Sequence, residues 1–69
     1  QDEPSTRGKL VAAAAQLFRR KGYHATGLAE ILAATGLPKG SLYHHFPDGK
    51  AGLAMAAADW TATALIRII

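Results

Sequence analysis

Glycine and proline punctuate this chain at Gly22, at Gly36-Leu37-Pro38 and at Pro47-Asp48-Gly49, and leave segments of helical length between them. Glycine takes the left-handed conformation that stops a helix, and proline cannot continue one, so each cluster closes one element and opens the next. Within the segments apolar residues recur at spacings of three and four, and Val/Ile-rich spots are too few to suggest a strand. The chain therefore reads as all-α, with four helices.

The first helix is expected from Ser5 or Thr6, either of which offers a capping oxygen, to Lys21. Leu10, Ala13, Ala14 and Leu17 form one apolar stripe that Val11 and Phe18 widen. Arg19, Arg20 and Lys21 complement the negative helix end before Gly22. The second helix spans about Leu28 to Thr35, with Leu28, Ile31 and Leu32 pointing one way. Glu30 stands three residues after Gly27, the spacing of a capping box with glycine in the hydroxyl position. Pro38 suits the first position of a third helix, whose inward side chains are Leu42 and Phe46. A long fourth helix starts near Gly49, capped by Asp48, with a stripe of Leu53, Ala57, Trp60, Ala64 and Ile68. Met55, Ala58, Ala62, Leu65, Ile66 and Ile69 make its apolar surface nearly continuous. A helix apolar on most sides expects cover on most sides, so the chain is expected to continue into a further domain packed there.

Length limits what such a bundle can be. The sequence has 69 residues and no cysteine, so one small domain must rest on an apolar core without disulfides or thiolate metal sites. The net charge of +3 and pI of about 9.7 mildly favour an anionic partner. No apolar run approaches the ~18 to 20 residues of a bilayer span. The run Leu10–Ala15 ends at Gln16 and falls short of a secretory core of about 7 to 15 apolar residues. A cytoplasmic protein without membrane contact is the expectation.

"TGLPKGSLYHHF", Thr35 to Phe46, carries the functional signal. Two short helices joined by a tight glycine-containing turn make a helix-turn-helix, whose second helix enters the DNA major groove. On a helix Lys39 and Tyr43 share one face, and Gly40 and His44 the neighbouring one, all away from Leu42 and Phe46. A mid-helix glycine costs about 1 kcal/mol relative to alanine, which close approach of the Gly40 backbone to a phosphate would explain. Lys39 supplies charge, and Ser41, Tyr43, His44 and His45 supply donors.

"GYHATGLAEILAATGLPKGSLYHHFPDGKAGL" resembles the DNA-binding head of the TetR family of bacterial transcriptional regulators. Gly22, Tyr23, Thr26, Ile31, Ala34, Gly36, Lys39, Gly40, Leu42, Tyr43, His45, Phe46 and Lys50 fit its pattern of Gly-Tyr, a Thr/Ser-rich helix start, Ile-Ala-x-x-Ala-Gly-Val-Ser-Lys-Gly-Thr-Leu-Tyr-x-His-Phe, and a following Lys. The resemblance implies a homeodomain-like three-helix bundle over 1–47, with the helix-turn-helix at about 27–46. Over 48–69 it implies the start of a long connecting helix leading to a C-terminal ligand-binding and dimerisation domain. It further implies a ligand-responsive repressor: a homodimer on double-stranded operator DNA, released when a small-molecule inducer swings the fourth helix. Thr26, Lys39, Tyr43, His45 and Lys50 are then expected on phosphates. Arg7 joins them because family members often touch the backbone at that place. Pro38, Ser41 and His44 are left facing the bases. Gly27 and Pro38 stand where hydroxyl residues are usual, so the interface there rests on fewer donors.

Other chemistry is disfavoured. His44 and His45 are adjacent and diverge by about 100 degrees on a helix, and His24 has no carboxylate or cysteine at ligand spacing; no metal or cofactor is expected. Ser41, His45 and Asp48 have the residue types of a hydrolase triad but nothing to suggest an oxyanion hole, and "GLPKGS" lacks the lysine placement of a phosphate loop. An enzyme is not expected. The competing reading is a helical protein-interaction module that docks a partner through its apolar fourth helix.

Overall fold

The computed structural model describes the backbone of residues 6–68 and the side chains of residues 6–62. Four helices, and no strand, occur among the described residues: α1 (Thr6–Lys21), α2 (Leu28–Thr35), α3 (Lys39–His45) and α4 (Lys50–Ile68). Helix α1 packs against each of the other three, most extensively against α4. Among the described residues it supplies three of the seven buried residues of the core cluster. Leu10, Val11 and Ala14 are buried against Ile31 of α2, Leu42 of α3, Phe46 and Leu53 of α4, with Leu17, Phe18, Leu28 and Leu32 packed around them.

The turn between α2 and α3 is built by three local devices. Gly36 takes φ 72, and its N–H donates to the Leu32 carbonyl at 2.8 Å, closing α2 as a left-handed stop should. The Thr35 hydroxyl lies 3.1 Å from the Ile31 carbonyl and accepts the Leu37 N–H at 3.3 Å, so the turn is tied back to α2. Pro38 was expected inside α3, and the structure moves it one residue out. Its φ of −74 suits a helix, but its ψ of 154 is extended, so it is the N-cap whose carbonyl accepts the Ser41 and Leu42 N–H groups.

The start of α4 also differs from expectation. Asp48 was the expected cap and Gly49 the first helical residue. Gly49 instead has φ 67, its carbonyl accepts the Leu53 N–H at 3.0 Å, and the helix begins at Lys50. The chain reverses sharply after Phe46, and only a residue comfortable at positive φ makes the final step into α4.

Along α4 the expected inward stripe holds at Leu53 and Ala57, whereas Trp60 is 49% exposed and Met55 74% exposed. Helix α4 packs mainly on α1, so the faces turned away from α1 have little cover among the described residues. The expected cap Ser5 and the stripe's continuation through Ala64, Leu65, Ile66, Ile68 and Ile69 lie outside the described side chains.

Candidate nucleic-acid interface

Helix α3 buries a single residue, Leu42. Lys39, Gly40, Tyr43 and His44 are exposed, and Ser41 and His45 are partly so. A seven-residue helix is far too short to persist alone in water; Leu42 and the following Phe46, both sealed in the core, anchor it and leave the rest of its surface outward. Pro38, exposed at the helix start, has no hydroxyl with which to cap it.

Lys39 and Tyr43 share a face as their spacing requires. Together with Leu28, Ala29, Leu32 and Leu42 they line a shallow groove between α2 and α3. Tyr43 also reaches the start of α4: its Cε1 lies 3.4 Å from where a Cβ on Gly49 would be, with the Leu28 Cδ1 at 3.7 Å. The beginnings of α2 and α4 and the outer face of α3 therefore meet around Tyr43, and Lys50 follows directly. Its ammonium lies over the ring of Tyr23, 4.4 Å from the centroid. His44 and His45 stack edge to face at 5.0 Å, with His44 exposed and His45 half-buried.

At Gly40 a built Cβ meets nothing within 4 Å, and φ is not positive. Neither packing nor backbone conformation demands a glycine there.

The structure places two candidates at the start of α2 where they offer no free donor. Thr26 was expected on a phosphate, but it is 1% exposed. Its single hydroxyl proton is directed at the Gly22 carbonyl, 2.9 Å away, with the Leu17 carbonyl at 3.3 Å. The side chain ties the loop after α1 to that helix's end. Gly27 presents no open N–H either, because the Glu30 carboxylate accepts it at 3.1 Å. This is the carboxylate half of the expected capping box; glycine has no side chain to supply the other half. The other Glu30 oxygen accepts the Lys21 ammonium. That ammonium first, and the Gly27 N–H second, hold the Glu30 carboxyl below the ordinary carboxylate range.

Arg7 falls in another group. It lies over the ring of Phe46 at 5.0 Å from the centroid and borders a groove with Val11, Ala56, Asp59 and Trp60. What the sequence reading missed is Glu30 as the partner of Lys21 and Tyr23 as the partner of Lys50. Both contacts cross between elements, and no spacing rule along one helix reveals them.

Comparison with known proteins decides the family. The family model for bacterial regulatory proteins of the tetR family matches residues 10–57, from the core of α1 to the second turn of α4. The chain belongs to the TetR family. Among curated relatives it is 47% identical over 64 residues to the uncharacterized HTH-type transcriptional regulator YxaF of Bacillus subtilis (strain 168), covering 93% of this chain and 34% of that protein. It is 50% identical over 54 residues to the HTH-type transcriptional regulator LmrA of the same organism, covering 78% and 29%. To the HTH-type transcriptional repressor NemR of Escherichia coli (strain K12) it is 39% identical over 61 residues, covering 87% and 31%. The chain thus spans about a third of the length of the curated TetR-family relatives it matches. No solved structure matches it.

Proposed function

We propose that this chain is the operator-binding head of a ligand-responsive TetR-family transcriptional repressor in the cytoplasm. Residues 1–47 form the DNA-binding unit, and residues 48–69 lead toward a ligand-binding and dimerisation domain. The observation that carries the reading is α3, a helix that buries only Leu42 and turns lysine, tyrosine, histidine and an unforced glycine outward. Relatives named as transcriptional regulators, one of them a repressor, support it. In this reading α3 enters the major groove, with Lys39, Tyr43, His45 and Lys50 on phosphates and the Gly40 backbone close to one. Pro38, Ser41 and His44 face base edges. Thr26 and Gly27 act by fixing the start of α2 rather than by donating to DNA, and Arg7 reaches the backbone from the start of α1. Two heads in a homodimer would meet successive major grooves, spaced by about 34 to 36 Å. A small-molecule inducer would act by moving α4 and breaking that spacing.

The test is duplex binding across a salt series. Each phosphate neutralised contributes ~0.9 to the slope of log affinity against log salt. Lys39→Ala or Lys50→Ala should weaken binding to all sequences about equally and reduce the slope by ~1. Altered sequence preference with an unchanged slope would remove the phosphate role. The competing interaction module has one observation in its favour. A groove of about 730 Å³ between α1 and α4, lined by Phe18, Ala54, Ala57, Ala58 and Trp60, is open among the described residues. Binding through that groove should be nearly indifferent to salt.

A further inference from the structure

Lys50 begins α4, and its long stem gives the ammonium many places to be. In the structure it has one: the face of Tyr23, 4.4 Å from the ring centroid. The negative face of an aromatic ring attracts an ammonium, best where water is partly excluded. Tyr23 does not belong to a helix; it sits in the connection between α1 and α2, and it is 39% exposed.

That ring is held firmly for a loop residue. Phe18, packed on the core, meets it at 5.4 Å and a tilt of 48°, and His24 meets it edge to face at 5.3 Å. The backbone beneath is fixed at both sides. The Gly22 N–H donates to the Phe18 carbonyl at 2.8 Å, the Thr26 N–H to the Tyr23 carbonyl at 3.3 Å, and the buried Thr26 hydroxyl to the Gly22 carbonyl at 2.9 Å. The residue before Lys50, Gly49, lies against Tyr43 of α3. The Lys50 backbone therefore starts beside Tyr43 of α3, and its ammonium is held on the Tyr23 ring.

We propose that Tyr23 is a positioning residue for DNA binding: its ring holds the Lys50 ammonium where α4 begins, ready to meet a phosphate. The loop after α1, tied down by Thr26, then sets the reach of a cation on α4. The proposal rests on the DNA-binding reading above.

Three substitutions and two readouts test it. Tyr23→Phe keeps the ring and removes only the hydroxyl. Tyr23→Leu keeps apolar bulk and removes the ring face. Lys50→Ala removes the charge. The first readout is binding of the intact protein to a random-sequence duplex between ~50 and ~200 mM salt. Tyr23→Leu should lower the salt slope by nearly the ~0.9 of one phosphate, about a threefold smaller loss of affinity over that range. Tyr23→Phe should keep the wild-type slope, and Tyr23→Leu with Lys50→Ala should lose no more slope than Lys50→Ala alone. The second readout is the NMR shift of the Lys50 ε-methylene, which needs no DNA. The ring current should move it upfield in the wild type and in Tyr23→Phe, and not in Tyr23→Leu. An unchanged slope in Tyr23→Leu, additive losses in the double variant, or an ε-methylene at its ordinary position in the wild type would each overturn the proposal alone. A wild-type protein whose duplex binding ignores salt would overturn the DNA-binding reading and this proposal together.

Discussion

At the scale of single residues, Gly40 separates stability from function. Nothing inside the domain lies within 4 Å of a Cβ built there, so Gly40→Ala should stabilise α3 by about 0.5–1 kcal/mol. The same methyl group would stand where a phosphate is expected to approach, so duplex affinity should fall while the melting temperature rises. A Gly40→Ala protein that is more stable and binds as well as before would remove the close-approach argument. Phe46 poses the opposite case. It is 5% exposed, packed in the core, and covered by Arg7. Phe46→Ala should cost roughly 3 to 5 kcal/mol, read by thermal or urea unfolding. For a domain of this size that is comparable with all the stability available, and a folded, DNA-competent variant would contradict the anchor role.

At the scale of elements, the Glu30 carboxylate joins α1 to the start of α2. It accepts the Lys21 ammonium and the Gly27 N–H, and both hold its pKa below the ordinary range. The folded state therefore binds the Glu30 proton less tightly than the unfolded state does. Linkage then gives a contribution to stability that is present above the unfolded glutamate value of about 4.3 and lost as pH falls through the lower folded value. Glu30→Gln keeps an oxygen for the Gly27 N–H and has no charge to titrate. Melting curves from neutral to acid pH should show the wild type losing more stability than Glu30→Gln through that window. Equal acid sensitivity would mean that the pair with Lys21 is not formed in solution.

At the scale of the whole molecule, α4 runs from the end that presents α3 to the groove beside α1 that is open among the described residues. Leu53 and Ala57 bind it to the core, while Met55, on the opposite face, and Trp60 are exposed. In the proposed reading one head would present few base readers, since Pro38 can offer only apolar contact, Ser41 can donate or accept without preference, and His44 alone has length. Selectivity would then fall to the spacing of the proposed dimer and to DNA shape. A monomeric head at ~150 mM salt, where non-specific binding is weakened, should prefer its half-site over random duplex only slightly. A preference of roughly a hundredfold would show that these side chains suffice, because single mismatches cost only about 1–3 kcal/mol each.

Much of this protein was legible in its sequence because the signals are local. The glycines at positions 22 and 36 mark helix ends that backbone conformation alone enforces, and both α1 and α2 end where they were expected to end. The inward identity of Leu10, Ile31, Leu42, Phe46 and Leu53 followed from spacing on a helix, and the outward set on α3 followed from what spacing left over. The tertiary structure decided what depends on the meeting of elements. It turned Thr26 inward, because the loop after α1 needed its hydroxyl for the carbonyls of Leu17 and Gly22. It gave the Gly27 N–H to Glu30 and the Lys50 ammonium to Tyr23, and it left Trp60 half exposed at the edge of the groove between α1 and α4. Periodicity states which side of one helix is apolar. Only the packing of α1 against the other three fixes which polar groups are enclosed and which cation finds a ring, because those outcomes depend on distances between segments remote in sequence.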